Sequence, residues 1–69
     1  MKFDIYGRYV LDAERVQGKW LIFRNENGKR RQEMDIVVPS DIGEADVIAY
    51  LGDLLHEYAS PGRSIKRIK

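Results

Sequence analysis

The chain contains no cysteine, so a disulfide framework and thiolate chemistry are both excluded, and a reducing compartment suits it. It also lacks a long apolar run. The longest, residues 47–51, falls far short of the roughly 20 residues that a membrane-crossing helix needs. Met1-Lys2-Phe3-Asp4 opens without the apolar stretch of a signal peptide, and the cytoplasm is the expected location. Glycine-rich phosphate loops are absent, as is any Ser/His/Asp set with a visible logic. The glycines at 7, 18, 28, 43, 52 and 62 read instead as turns, caps and bends. The single histidine, His56, follows Asp53 at a spacing that could offer a metal two ligands, short of the three or four a site requires. The expectation is a non-enzymatic chain with no cofactor and no metal. A chain this short is also expected to leave little volume for a substrate pocket, which is typically about 300 Å³ or more.

One further absence organises the sequence. Lys and Arg are missing from residues 32–59, where seven acids stand alone (Glu33, Asp35, Asp41, Glu44, Asp46, Asp53 and Glu57). Before this block the chain is basic, and after it come Arg63, Lys66, Arg67 and Lys69, so a net charge of +1 conceals a polarised molecule. Sixty-nine residues make one domain. At this length only about 60% of the unfolded chain's surface is buried on folding, so the core is thin. Residues 1–59 read as the domain and 60–69 as a basic C-terminal tail.

Periodicity supplies the elements. Phe3, Ile5, Tyr9, Leu11 and Ala13 alternate with polar neighbours, as in a half-buried strand. Because Gly7 shares their parity, one long strand bent at Gly7 is preferred to a Gly7-Arg8 hairpin. A second strand, 19–24, follows a turn whose length sets the register. A two-residue Gln17-Gly18 turn would pair Asp12 with Phe23 and Glu14 with Leu21, putting carboxylates opposite apolar side chains taken to face the core. A three-residue loop pairs Leu11 with Phe23 and Ala13 with Leu21, and the cost of burying carboxylates favours it. Asn27-Gly28 is the strongest hairpin signal in the chain and leads to a third strand, 30–38, ended by Pro39. Met34, Ile36 and Val38 are expected on its core face. Val47, Ile48, Leu51, Leu54, Leu55 and Tyr58 form one helical stripe, with Gly43 or Asp41 as cap and Ser60-Pro61-Gly62 as stop. Ile65 and Ile68 hint at a short fourth strand. The expected fold is α+β, an antiparallel three-stranded meander (β-β-β-α) with one C-terminal amphipathic helix packed on one face.

In that register the sheet face without a helix carries Trp20 and Ile22 at its centre, with Val10 and Val37 beside them. An apolar centre rimmed by charge is what a binding patch looks like. A homodimer or protein partner seated on Trp20, Ile22, Val10 and Val37 is therefore expected. Arg24, Lys29, Arg30 and Arg31 cluster at the tip of the second hairpin, where a basic ribbon could contact nucleic-acid phosphates.

The stretch from Gly18-Lys19-Trp20 to Asn27-Gly28-Lys29-Arg30-Arg31, followed by a helix, is similar to the three-strand-plus-helix DNA-binding domains of phage-type integrases. That resemblance implies DNA docking on the sheet through Trp20, Arg24, Lys29, Arg30 and Arg31. Asp12, Glu14, Glu33 and Asp35 would share the face and repel phosphate. Across most of its length the chain resembles a family of short bacterial proteins with no assigned function, through Lys2-Phe3-Asp4-Ile5 with Gly7-Arg8, Asp35-Ile36-Val37-Val38-Pro39, and Leu54-Leu55-His56-Glu57. That resemblance implies a small standalone domain and brings no activity, cofactor or site residue with it.

Overall fold

Three turns decide the sheet. Tyr6-Gly7, Gln17-Gly18 and Asn27-Gly28 each hold both residues at positive φ, the type I′ arrangement whose twist matches that of paired strands. Between them a computed structural model, which describes residues 1–56 and 62–69, places β1 (Lys2–Ile5), β2 (Tyr9–Val16), β3 (Lys19–Glu26) and β4 (Lys29–Gln32). A 3₁₀ turn (Glu44–Asp46), helix α1 (Val47–Leu55) and a last strand, β5 (Ile65–Arg67), follow. The sheet is antiparallel in the order β4-β3-β2-β1-β5. The α+β class and the helix-covered meander stand, with five strands rather than three plus one.

The single bent strand is corrected to a hairpin. Phe3 pairs with Leu11 and Ile5 with Tyr9, and Arg8 N–H donates to the Ile5 carbonyl at 2.9 Å to close the turn. Odd residues pair with odd ones, so the expected core parity survives: Phe3, Ile5, Leu11 and Ala13 are all buried.

The register of β3 is the larger correction. Val16 pairs with Lys19 across a two-residue Gln17-Gly18 turn, which sets Ala13 opposite Ile22 and Asp12 opposite Phe23. The cost of burying carboxylates favours the longer loop only if Leu21 and Phe23 point to the core. They point away from it, so Asp12 and Glu14 leave the core without shifting β2, and Ile22 enters it at 2% exposure. Trp20-Leu21-Ile22-Phe23 is apolar on both faces, so turn geometry chose between the registers.

The third strand is also shorter than expected. β4 ends at Gln32, Met34 is 73% exposed, and Val38 reaches the core from a strap formed by residues 33–43. Ile36 packs only partly against that core. The strap is tied down by Trp20, whose indole Nε1–H donates to the Ile42 carbonyl at 2.8 Å, and by Arg15, whose guanidinium donates to the Ser40 carbonyl at 2.7 Å. Trp20→Phe should lose about 1 kcal/mol in a urea melt, because it leaves the Ile42 carbonyl without that donor. An unchanged midpoint would show that the tie contributes nothing.

Gly43 precedes the 3₁₀ turn, with Asp46 N–H donating to its carbonyl at 2.9 Å. Val47, Leu51 and Leu55, four residues apart, are the buried stripe of α1. They pack on Phe3, Ile5, Tyr6, Leu11, Ala13 and Ile22. Leu54 lies off that stripe, 42% exposed, and Tyr58 and the expected stop at Ser60-Pro61 lie outside the described residues. The strap and α1 carry the chain from the β4 edge to the opposite edge. There β5 pairs with β1, Ile5 opposite Ile65 and Phe3 opposite Arg67. The segment read as a basic tail thus supplies an edge strand. Its Arg67 pairs with Glu44 at 3.1 Å, at the start of the helical region.

Candidate interaction face

With α1 on one side, strand alternation puts a second set of side chains on a face that no described element covers. Its rows follow from the register. Lys66, Asp4, Val10, Asn25 and Arg30 lie side by side across all five strands. Lys2, Asp12, Phe23 and Gln32 form the next row, and Glu14 with Leu21 the one after. Val10, Leu21 and Phe23 are partly buried, a continuous apolar centre on β2 and β3.

Arg30 organises the polar groups around this centre. Its guanidinium lies over the Phe23 ring, 3.9 Å from the centroid, a cation–π geometry. The same Nη2 donates to the Glu14 carboxylate and lies 3.4 Å from Asp12 Oδ2. Asp12 is 8% exposed and also stands 3.8 Å from the Met1 amine, which donates to the Ala13 carbonyl at 3.0 Å. Two cations and two carboxylates therefore cancel at the centre of the face. Lys2, Lys19 and Lys66, which form no ion pair among the described residues, lie around it, and Asp4, likewise without one among them, stands between Val10 and Lys66.

The residues expected to form an interaction patch are divided by this register. Val10 stays on the open face. Ile22 is in the core, Trp20 packs against the core under the strap, and Val37 is 68% exposed on the strap, off the sheet. Leu21 and Phe23, which sequence reasoning had assigned to the core, take the central positions. The only sequence signal for them was the rejected two-residue turn.

The basic hairpin is divided as well. Arg30 faces the open side, whereas Arg24 and Arg31 pair on the helix side. Arg24 stacks on Tyr9 at 3.9 Å, and its Nε lies 3.0 Å from Glu26 Oε2 without hydrogen-bond alignment. Its Nη1 stands 3.9 Å from Glu33 Oε1. Lys29 and Arg31 form no ion pair among the described residues.

On the helix side, a cleft of about 590 Å³ opens between Tyr9, Arg24, Glu33, Ile36 and Leu54. This is more volume than the length of the chain led us to expect. Arg24 pairs with Glu26 and Glu33 in its lining, and among the described residues the cleft gathers neither a nucleophile–base pair nor a ligand cluster. His56 Nδ1 lies 2.9 Å from the Asp53 carbonyl oxygen rather than from its carboxylate. Among the described residues no group of three metal-ligating side chains comes together, and no helix is long and apolar enough to cross a membrane.

Comparison with known proteins places the whole length of the chain, residues 1–69, in one family model. The chain belongs to the family described as Domain of unknown function (DUF7661). No curated protein and no solved structure matches it significantly. Both this DUF7661 fold and its open face are therefore read from the geometry of the chain alone.

Proposed function

We propose that this chain is a small non-enzymatic interaction module that docks a protein partner on the open face of its sheet. One observation carries the reading. Val10, Leu21 and Phe23 lie together on a face that no described residue covers as a second layer, and the charges at its centre are already paired through Arg30. An apolar centre whose charges are already paired, inside a charged rim, is the anatomy of a protein interface. The expected bacterial, cytoplasmic setting belongs to the same proposal; the cysteine-free sequence suits a reducing compartment, and the bacterial origin rests on the family resemblance alone. Nucleic-acid binding through Arg24, Lys29, Arg30 and Arg31 has less support, because Arg24 and Arg30 are held by Glu26, Glu33, Asp12 and Glu14. Only two of the four cations remain for phosphate, and phosphate neutralisation dominates such affinity.

A photoreactive benzophenone side chain tests the reading when it replaces Leu21 on the open face or Ala49 on the exposed side of α1. In cells producing the chain, the position-21 protein should yield one discrete adduct with a protein and the position-49 protein none. Equal labelling from both positions, or none from position 21, would reject the open face as the docking surface.

A further inference from the structure

We infer that the occupant of the open face is a second copy of this chain, packed sheet to sheet to give a helix–sheet–sheet–helix dimer; this inference rests on the docking reading above. Charge comes first. The face carries Lys2, Lys19, Arg30 and Lys66 against Asp4, Asp12 and Glu14. A strongly basic or strongly acidic partner would be repelled by about half of these groups. A copy of the same surface offers both signs in near balance, as a self-complementary two-fold contact requires.

Desolvation comes next. Covering a sheet with unpaired carboxylates at its centre would be prohibitive. Here Asp12 and Glu14 already share Arg30, and Asp12 also faces the Met1 amine, so a second layer strands no charge. Lys2, Lys19 and Lys66 stay hydrated toward the rim, and Asp4, beside Val10, has Lys66 as its neighbour on the other side.

The sheet edges make the face the better route. Both edge strands are basic, with Lys29, Arg30 and Arg31 on β4 and Lys66 and Arg67 on β5. Extending the sheet from one copy into the next would set like charges side by side, a familiar guard against edge pairing. Stacking the faces avoids that contact.

Size sets the strength. Five strands of 4, 8, 8, 4 and 3 residues, about 4.8 Å apart, give a face of roughly 430 Å². Two copies would bury about 900 Å², just below the roughly 1,000 Å² of a stable specific interface, so the dimer is weak, reversible and concentration-dependent.

Sedimentation equilibrium on the purified full chain, from about ten micromolar to about one millimolar, tests this. The wild type should pass from monomer to dimer across the series. Phe23→Glu and Val10→Lys should each weaken the dimer about tenfold or more, whereas Val37→Glu, on the exposed strap, should leave it unchanged. Circular dichroism checks folding, and if Phe23→Glu does not fold, Val10→Lys decides. A wild type that stays monomeric, a dimer indifferent to both face substitutions, or one broken by Val37→Glu would each overturn the proposal. A monomer that still gives the position-21 adduct with another protein removes the second copy but keeps the docking face. A monomer without that adduct removes both.

Discussion

Ile22→Ala should destabilise the domain by about 2–5 kcal/mol, whereas Leu21→Ala, one residue away, should cost about 1 kcal/mol or less. Ile22 is 2% exposed among Leu11, Ala13 and the helix stripe. Truncating it removes both its transfer free energy and the packing of its neighbours. Leu21 lies on the open face and is only partly buried. A domain of this length has a total stability of about 3–10 kcal/mol, so the first substitution consumes much of it. The three-residue loop would reverse the order, since it turns Leu21 inward and Ile22 outward. Urea unfolding of the two variants therefore tests the register directly. Equal losses, or a larger loss for Leu21→Ala, would contradict the two-residue turn.

Gly7→Ala should cost about 2–3 kcal/mol and Gly18→Ala about 1 kcal/mol, although the two positions share nearly the same backbone conformation. Both sit at positive φ, +72° and +78°, where a Cβ is unfavourable. At Gly18 an added Cβ would meet nothing within 4 Å. At Gly7 it would collide with Arg63 Nη1. Arg63 lies across this turn and donates from Nη1 to the Tyr6 carbonyl at 3.2 Å, so an alanine side chain must displace the guanidinium and break that charge-assisted bond. The displaced Arg63 sits just before β5, and amide exchange in Ile65–Arg67 should speed up in Gly7→Ala but not in Gly18→Ala. Similar melting curves and similar exchange for both variants would show that Arg63 has no part in holding the last strand.

The parts legible in the sequence are those where one pattern had one solution. Alternation through residues 3–13, with Gly7 on the same parity, placed Phe3, Ile5, Leu11 and Ala13 inside; a two-residue Gly7-Arg8 turn would have moved Phe3 and Ile5 to the face of Val10, but the three-residue turn that forms keeps odd residues paired with odd ones. Asn27-Gly28 fixed the β3–β4 register, and Phe23 opposite Gln32 is where that turn puts it. Val47, Leu51 and Leu55 announced their helix at the expected spacing. Leu54 fell outside the buried stripe because a nine-residue helix on a small sheet covers only a narrow seam.

The candidate site was hidden where the pattern was degenerate. Trp20-Leu21-Ile22-Phe23 satisfies a core on either face, so its orientation follows from the twist of a type I′ turn rather than from hydrophobicity. The cost of buried carboxylates did not discriminate, because Leu21 and Phe23 face away from the core and carry Asp12 and Glu14 with them; there Arg30, sixteen residues from Glu14 in sequence, returns across the sheet to pair with it. Pairing of that kind depends on strand order, which local sequence does not encode.

By itself the sequence determined the class of the domain, the parity of its first strands, the last hairpin register, the helix, and the missing thiols and long apolar segments. Those properties follow from local geometry and composition. Tertiary structure decided which face of β3 is inside, that the last residues close the sheet as a fifth strand, and that Val10, Leu21 and Phe23 form the open face with Arg30 over them. Each of these depends on which strands become neighbours, and that is settled when the chain packs as a whole.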